Sequence, residues 1–392
     1  SYPNVPLLFN LVGACYKALG QLKGAVQMFE TAVSLKQDYA EAYKNLGVTL
    51  NDLGQLNDAT INFKKAIEIE PNYFDAHNNL GNLFKELQQY DDAVIIYKKL
   101  LEIQPDYAEG HNNLGVTLVA MGEFDRAVKS YEKAIELKPK FAEAYYNLAL
   151  VFKKLKKLND AIKNFESATL INPNFAEAFN NIGSCFVSLD RQYDAIKFYE
   201  KALSINPEYS IAHHDLGNTL SEIGKTEAGI KSIERAIEID PNYAEAYKSL
   251  GVILKNKNHR NKAQKCFERA FEIQPDLDFL IGEIVVNKNN QCEWSDSLNL
   301  LLTLKEKIIN NQKVVHPLSL LGLIDDPSLQ KKATKMFTSS QYPKSYDLPK
   351  ISSYSSHQKI RVGYFSADFH NHATMHLMAE LFEHHNKSFF EI

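Results

Sequence analysis

The sequence predicts an all-α protein built as a superhelix of stacked helix pairs, followed by a short α/β segment at its C-terminal end. Three periodic observations carry the first part. Pro3, Pro71, Pro105, Pro139, Pro173, Pro207, Pro241 and Pro275 keep one 34-residue frame, broken only at Gln37. An aromatic recurs two residues after that position, at Tyr39, Tyr73, Tyr107, Phe141, Phe175, Tyr209 and Tyr243. Small residues recur at Ala59, Ala93, Ala127, Ala161, Ala195 and Ala263, with Gly229 as the exception, and mark places where two helices approach closely.

Each unit reads as helix, turn, helix. Asp38 with Glu41, Asn72 with Asp75, Asp106 with Glu109, Asn174 with Glu177 and Asn242 with Glu245 have capping-box spacing, which predicts a helix start at each. Each Pro then closes one pair before the next begins. Leu46, Val48, Leu50, Leu80, Leu83 and Leu87 give the first helices an apolar side. Phe63, Tyr97, Tyr131, Phe165, Tyr199 and Phe267 do the same for the second helices, beside Ala66, Ala134, Ala168, Ala202 and Ala270. A single pair cannot bury its own apolar surface, so neighbours must stack. Eight pairs are expected, over residues 1–275.

Composition narrows the partners. The chain has 392 residues, 45% hydrophobic and 11% aromatic, as a folded protein does. A net charge of −4 gives no bulk attraction for nucleic acid or an anionic membrane, and neither is expected as a partner. Cys15, Cys185, Cys266 and Cys292 form no C-x-x-C pair and read as reduced thiols, which points to the cytoplasm. Cys15 and Cys185 share one frame position and are expected as small core residues. No apolar run near 18 residues occurs. Ser1 in place of Met suggests an interior position of a longer protein.

The helix pair with its L-G, Y and A-x3-F/Y signals resembles the tetratricopeptide repeat, and the resemblance covers residues 1–275. It implies a right-handed superhelix whose first helices face a concave groove. On those helices one position is persistently polar: Asn45, Asn79, Asn113, Asn147 and Asn181, then Asp215 and Ser249. Stacking brings equivalent positions into a line, so five amides would form a ladder. A carboxamide donates to a carbonyl and accepts from an N–H, so a ladder can grip extended polypeptide whatever its side chains. The competing reading is that these amides only solvate the groove or bond neighbouring helices. His77, His111 and His213 share another first-helix position and read as groove-lining or packed rings, since no carboxylate or thiol accompanies them at fixed spacing.

After Pro275 the frame decays. Residues 276–338 read as a degenerate helical transition region with helices near 277–290, 296–311 and 328–337, and residues 339–359, rich in Ser, Tyr and Pro, as an exposed connector. Residues 360–392 change pattern. IRVGYFS suits a buried strand, ADFHNH a polar loop, Thr374 to His385 a helix, and FFEI a second strand, the opening of an α/β domain. Asp368, His370 and His372 would lie beyond the carboxyl end of the first strand, where such sheets hold ligands.

VGYFSADFHNHATMHLM resembles the segment that opens the catalytic region of the O-linked N-acetylglucosamine transferase family, whose relatives include the SPINDLY-type protein O-fucosyltransferases. QCEWSDS from Gln291 and VHPLSL from Val315 resemble its transition region, so the resemblance spans the chain. It departs from the family pattern at Ala373 and His370. The resemblance implies a two-lobed, GT-B-type glycosyltransferase that moves N-acetylglucosamine or fucose from a nucleotide sugar, UDP-GlcNAc or GDP-fucose, to Ser or Thr of protein substrates, with no further cofactor. A homodimer is a further expectation. His372 would orient the attacking hydroxyl or take its proton, a task suited to a neutral imidazole beside a helix N-terminus. Asp368 would assist, or simply cap the loop. The alternative for the tail is a metal site on His370, His372 and His376, unsupported by Cys or a Glu-x-x-His companion. On this reading the chain ends inside the first lobe, truncated, and is expected to bind polypeptide without transferring sugar. The alternative for the whole is a non-enzymatic interaction scaffold.

Overall fold

The computed structural model describes residues 5–293, 297–341, 360–361 and 390–391. Sixteen helices follow in pairs: α1 (Pro6–Ala18) and α2 (Leu22–Leu35), α3 (Ala40–Asp52) and α4 (Leu56–Ile69), α5 (Phe74–Glu86) and α6 (Tyr90–Ile103), α7 (Ala108–Ala120) and α8 (Phe124–Leu137). The series continues with α9 (Ala142–Lys154) and α10 (Leu158–Ile171), α11 (Ala176–Val187) and α12 (Gln192–Ile205), α13 (Ser210–Glu222) and α14 (Thr226–Ile239), α15 (Ala244–Asn256) and α16 (Arg260–Ile273). Then come α17 (Leu280–Asn289), α18 (Ser297–Ile309), α19 (Pro317–Leu321) and α20 (Pro327–Gln341). The chain divides into two compact units, Ser1–Ala333 and Thr334–Ile392. In the second, β1 (Ile360–Arg361) and β2 (Phe390–Glu391) pair in parallel, Ile360 opposite Phe390. None of the helices among the described residues is long and apolar enough to cross a membrane.

The frame residues explain the stacking. Phe63, Tyr97, Tyr131, Phe165, Tyr199 and Phe267 are almost wholly buried, as are Ala59, Ala93, Ala127, Ala161, Ala195 and Ala263. Each aromatic lies against the glycine of its own first helix. A Cβ on Gly47, Gly81, Gly115, Gly183 or Gly251 would come within 2.8 Å of the facing ring, closer than real Cβ atoms approach. The fifth pair differs: Ala149, fully buried, stands in the glycine position of α9 and shares a core with Phe165 of α10. Replacing Gly115 by Ala should therefore cost about 1–3 kcal/mol through overpacking against the ring carbons of Tyr131. The urea midpoint of this variant checks it, and an unchanged midpoint would show that the ring yields freely.

The helix starts correct the capping-box expectation. The N-caps are Tyr39, Tyr73, Tyr107, Phe175 and Tyr243, none with a side-chain cap bond, so Asp38, Asn72, Asp106, Asn174 and Asn242 lie one residue outside. Packing of the aromatics is the physical reason. Tyr107 meets Phe74 edge-on at 4.9 Å between ring centroids, and Phe175 meets Tyr146 at 4.7 Å. The loop amides are satisfied locally instead: Asn174 N–H donates to Asn172 Oδ1 at 3.2 Å and Asn242 N–H to Asp240 Oδ1 at 3.0 Å. Glu41, Asp75, Glu109, Glu177 and Glu245 keep a role in the first helical turn, where the positive end of the helix dipole favours an acid.

Cys185 is buried, as expected for a small core residue, but Cys15 is exposed. Equivalent residues such as Leu83, Val151 and Cys185 are covered where successive pairs meet, whereas on α1 the neighbouring Leu8, Leu11 and Val12 are exposed too. Among the described residues no pair stacks on that face, so frame position alone did not decide burial.

Curvature places the site. Successive first helices, α1 with α3, α3 with α5, and α5 with α7, touch directly, while no two successive second helices pack to that extent. Elements on the inside of a bend are the ones brought together, so the first helices line the concave side.

Candidate functional site

The five ladder asparagines all lie half-buried on first helices: Asn45 on α3, Asn79 on α5, Asn113 on α7, Asn147 on α9 and Asn181 on α11. They are not equivalent. Asn45 Nδ2 donates to Asn10 Oδ1 at 3.0 Å, and its Oδ1 accepts from Lys44 Nζ at 2.9 Å. Asn147 Nδ2 donates to Asn112 Oδ1 at 3.1 Å. Asn181 Nδ2 reaches Glu177 O at 2.9 Å and the Tyr146 hydroxyl at 3.3 Å, while Lys153 Nζ donates to its Oδ1 at 2.9 Å. Asn113 makes one long bond, Nδ2 to Asn82 Oδ1 at 3.4 Å. Asn79 has no side-chain hydrogen bond among the described residues.

These bonds reveal a second row, one residue earlier in the frame: Asn10, Asn112, Tyr146, Asn180 and His214. Its members bond to the ladder position 35 residues on, in the next first helix. Asn180 Nδ2, for example, donates to Asp215 Oδ2 at 3.0 Å. The amides thus tie repeats together, so part of the competing reading holds. Sequence reasoning missed this second row. Its signal was the doubled Asn at 78–79, 112–113 and 180–181.

The ladder changes chemistry at its C-terminal end. His214 is buried, with Nε2 2.9 Å from Ser249 Oγ and 3.0 Å from Asn218 Nδ2; its Nδ1 lies 3.2 Å from the Tyr243 hydroxyl and 3.4 Å from Asp215 Oδ1. One imidazole therefore joins two successive first helices, α13 itself and α15, the latter both through Ser249 and through Tyr243 at its N-cap. Nearby, burial lowers the pKa of the Lys153 ammonium, with Cys185 and Asp215 pulling the other way.

The histidines of the frame have a structural task. His77, His111 and His213 bring Nε2 to within 2.8–3.0 Å of the carbonyls of Pro71, Pro105 and Pro207, six residues back. Each ring fastens the inter-repeat loop to the helix that follows. Among the described residues no cluster of three His, Cys, Asp or Glu could hold a metal ion. Asp368, His370, His372 and His376, and the helix expected over Thr374 to His385, lie outside the described residues.

Comparison with known families agrees with the frame. Residues 49–88, 81–122 and 117–156 match the TPR repeat, and residues 8–39, 142–175, 176–209, 198–231 and 244–277 match the tetratricopeptide repeat. Residues 335–392 match glycosyl transferase family 41. No curated protein matches the chain. Among solved structures, MamA is similar at 28% identity, over 41% of this chain and 95% of that one, with a TM-score of 0.38. YrrB, described as a TPR protein with an unusual peptide-binding site, is similar at 27% identity, over 46% and 93%, with a TM-score of 0.38.

Proposed function

We propose that this tetratricopeptide-repeat superhelix holds extended polypeptide along the concave face of its first helices, as the acceptor-binding part of a protein O-glycosyltransferase. The observation that carries the first half is the row of half-buried carboxamides at one position of five successive first helices, on the inside of the curve. A carboxamide offers one donor and one acceptor to a peptide group, and net gains of about 0.5–1.5 kcal/mol per bond make several rungs necessary. Such a groove binds weakly and with tolerance for side chains. The second half rests on the match of residues 335–392 to glycosyl transferase family 41. In this reading a nucleotide sugar, UDP-GlcNAc or GDP-fucose, is the donor, a Ser or Thr hydroxyl of the held polypeptide is the acceptor, and His372 orients or deprotonates it.

A flexible Ser- and Thr-containing peptide carrying a benzophenone cross-linker tests the groove. Adducts are expected on the first helices, α3 to α11, and to be competed by unlabelled peptide. Adducts confined to second helices, or none, would refute the groove.

A further inference from the structure

We infer that the amide ladder is uneven and that Asn79 is its anchor for an extended polypeptide backbone, with Asn45 and Asn181 serving the fold rather than the ligand. This deepens the groove reading above and rests on it. The difference lies in what each amide must give up. For Asn45 to accept from a peptide N–H it must compete with Lys44, and to donate to a peptide carbonyl it must compete with Asn10. Asn181 is occupied on both sides, by Lys153 at its oxygen and by Glu177 and Tyr146 at its nitrogen. Asn147 keeps its oxygen available, and Asn113 gives up only a 3.4 Å bond. Asn79 gives up nothing, because both ends of its carboxamide are unengaged among the described residues.

The surroundings of Asn79 strengthen the assignment. Asn78 Oδ1 and Asn51 Oδ1 are buried acceptors with no donor, two of the five such side-chain atoms among the described residues. Asn78 is its sequence neighbour on α5. Asn51, on α3, holds the frame position that Lys153 holds toward Asn181, 28 residues on. At that rung Lys153 supplies a donor, and at the Asn79 rung an amide stands in its place. Asn180 Oδ1 beside Asn181 is likewise without a donor, so what distinguishes the Asn79 rung is that the rung amide itself is unengaged and can meet a ligand's N–H and C=O without losing an existing bond, whereas Asn181 cannot. Reorienting these side chains breaks no existing bond of Asn79. An extended backbone, which presents N–H and C=O alternately, meets both needs of a free carboxamide at once.

The test uses the full chain and a fluorescein-labelled, uncharged peptide of Gly, Ser, Thr and Val, with affinity read by anisotropy for wild type and for five single Asn→Ala variants. Asn79→Ala should weaken binding by about fivefold or more, Asn113→Ala and Asn147→Ala less, and Asn45→Ala and Asn181→Ala by no more than about twofold. Because removing an inter-repeat bond could loosen the fold, side-chain amide resonances of the wild-type protein give a second readout, and those of Asn79 should shift most on peptide addition. Binding with equal losses at all five rungs, or the largest loss or shift at Asn45 or Asn181, would overturn the anchor while leaving the groove intact. No binding of the peptide by wild type would overturn the groove reading itself.

Discussion

Between pH 10 and 11 the repeat region is expected to lose about 3 kcal/mol of stability from three tyrosines alone. Tyr97, Tyr131 and Tyr199 are almost fully buried, and burial holds their hydroxyls well above the usual phenol range; the negative groups Glu86, Glu143 and Asp215 respectively add to it. In the unfolded chain the same groups ionise near pH 10. A pKa raised in the folded state means that the native form keeps protons the unfolded form releases. The stabilising contribution is therefore whole below pH ~10 and is lost as pH rises toward the folded pKa, at a rate approaching about 1.4 kcal/mol per pH unit for each group. Tyr73 and Tyr209, pushed up to about 12, add to the slope in a smaller, solvent-screened measure. Urea midpoints taken from pH 8 to 11.5 should fall steeply above pH 10. The variant with Phe at 97, 131 and 199 should keep its pH 8 stability to within a few kcal/mol, since Phe63, Phe165 and Phe267 fill the same position elsewhere, and its alkaline loss should be much shallower. Equal slopes in the two proteins would show that these hydroxyls do not govern alkaline unfolding.

Phe165→Ala should cost about 3–5 kcal/mol, the range for emptying an aromatic site in a packed core. Phe165 is fully buried in α10, its ring 5.5 Å from that of Tyr146, and it packs on Ala149 and into the core shared with α11 and α12. Repeats contact only their neighbours, so the damage should be local at first. Hydrogen exchange should accelerate through α9 to α11 while α1, α2, α15 and α16 change little. The same interruption should divide the groove between Asn113 and Asn181. A loss below about 1.5 kcal/mol would mean that the site collapses around the missing ring.

The repeat was legible because a solenoid writes its packing into sequence at constant spacing. Gly115 faces Tyr131 as Gly81 faces Tyr97, and one contact solved well is repeated. The amide row was legible for the same reason. Helix starts were misread: Asp106 and Glu109 have capping-box spacing, but Tyr107 occupies the cap, where its ring packs edge-on against Phe74 of the preceding repeat, and that packing outweighs one side-chain bond at a helix end. The exposure of Cys15 was invisible too, because burial of a stacking face depends on what covers it.

The periodic sequence by itself determined eight helix pairs, their glycine, alanine and aromatic contacts, and a line of asparagines on the first helices. Those features follow from spacing along one chain. Only the tertiary structure decided which asparagines are free. Whether an amide is available depends on partners 28 to 35 residues away, Lys153 for Asn181, Asn10 for Asn45, Asn112 for Asn147, and those distances close only when the pairs stack and bend. Identical letters at identical frame positions therefore carry different chemistry, because a hydrogen-bonding group is defined by what already occupies it.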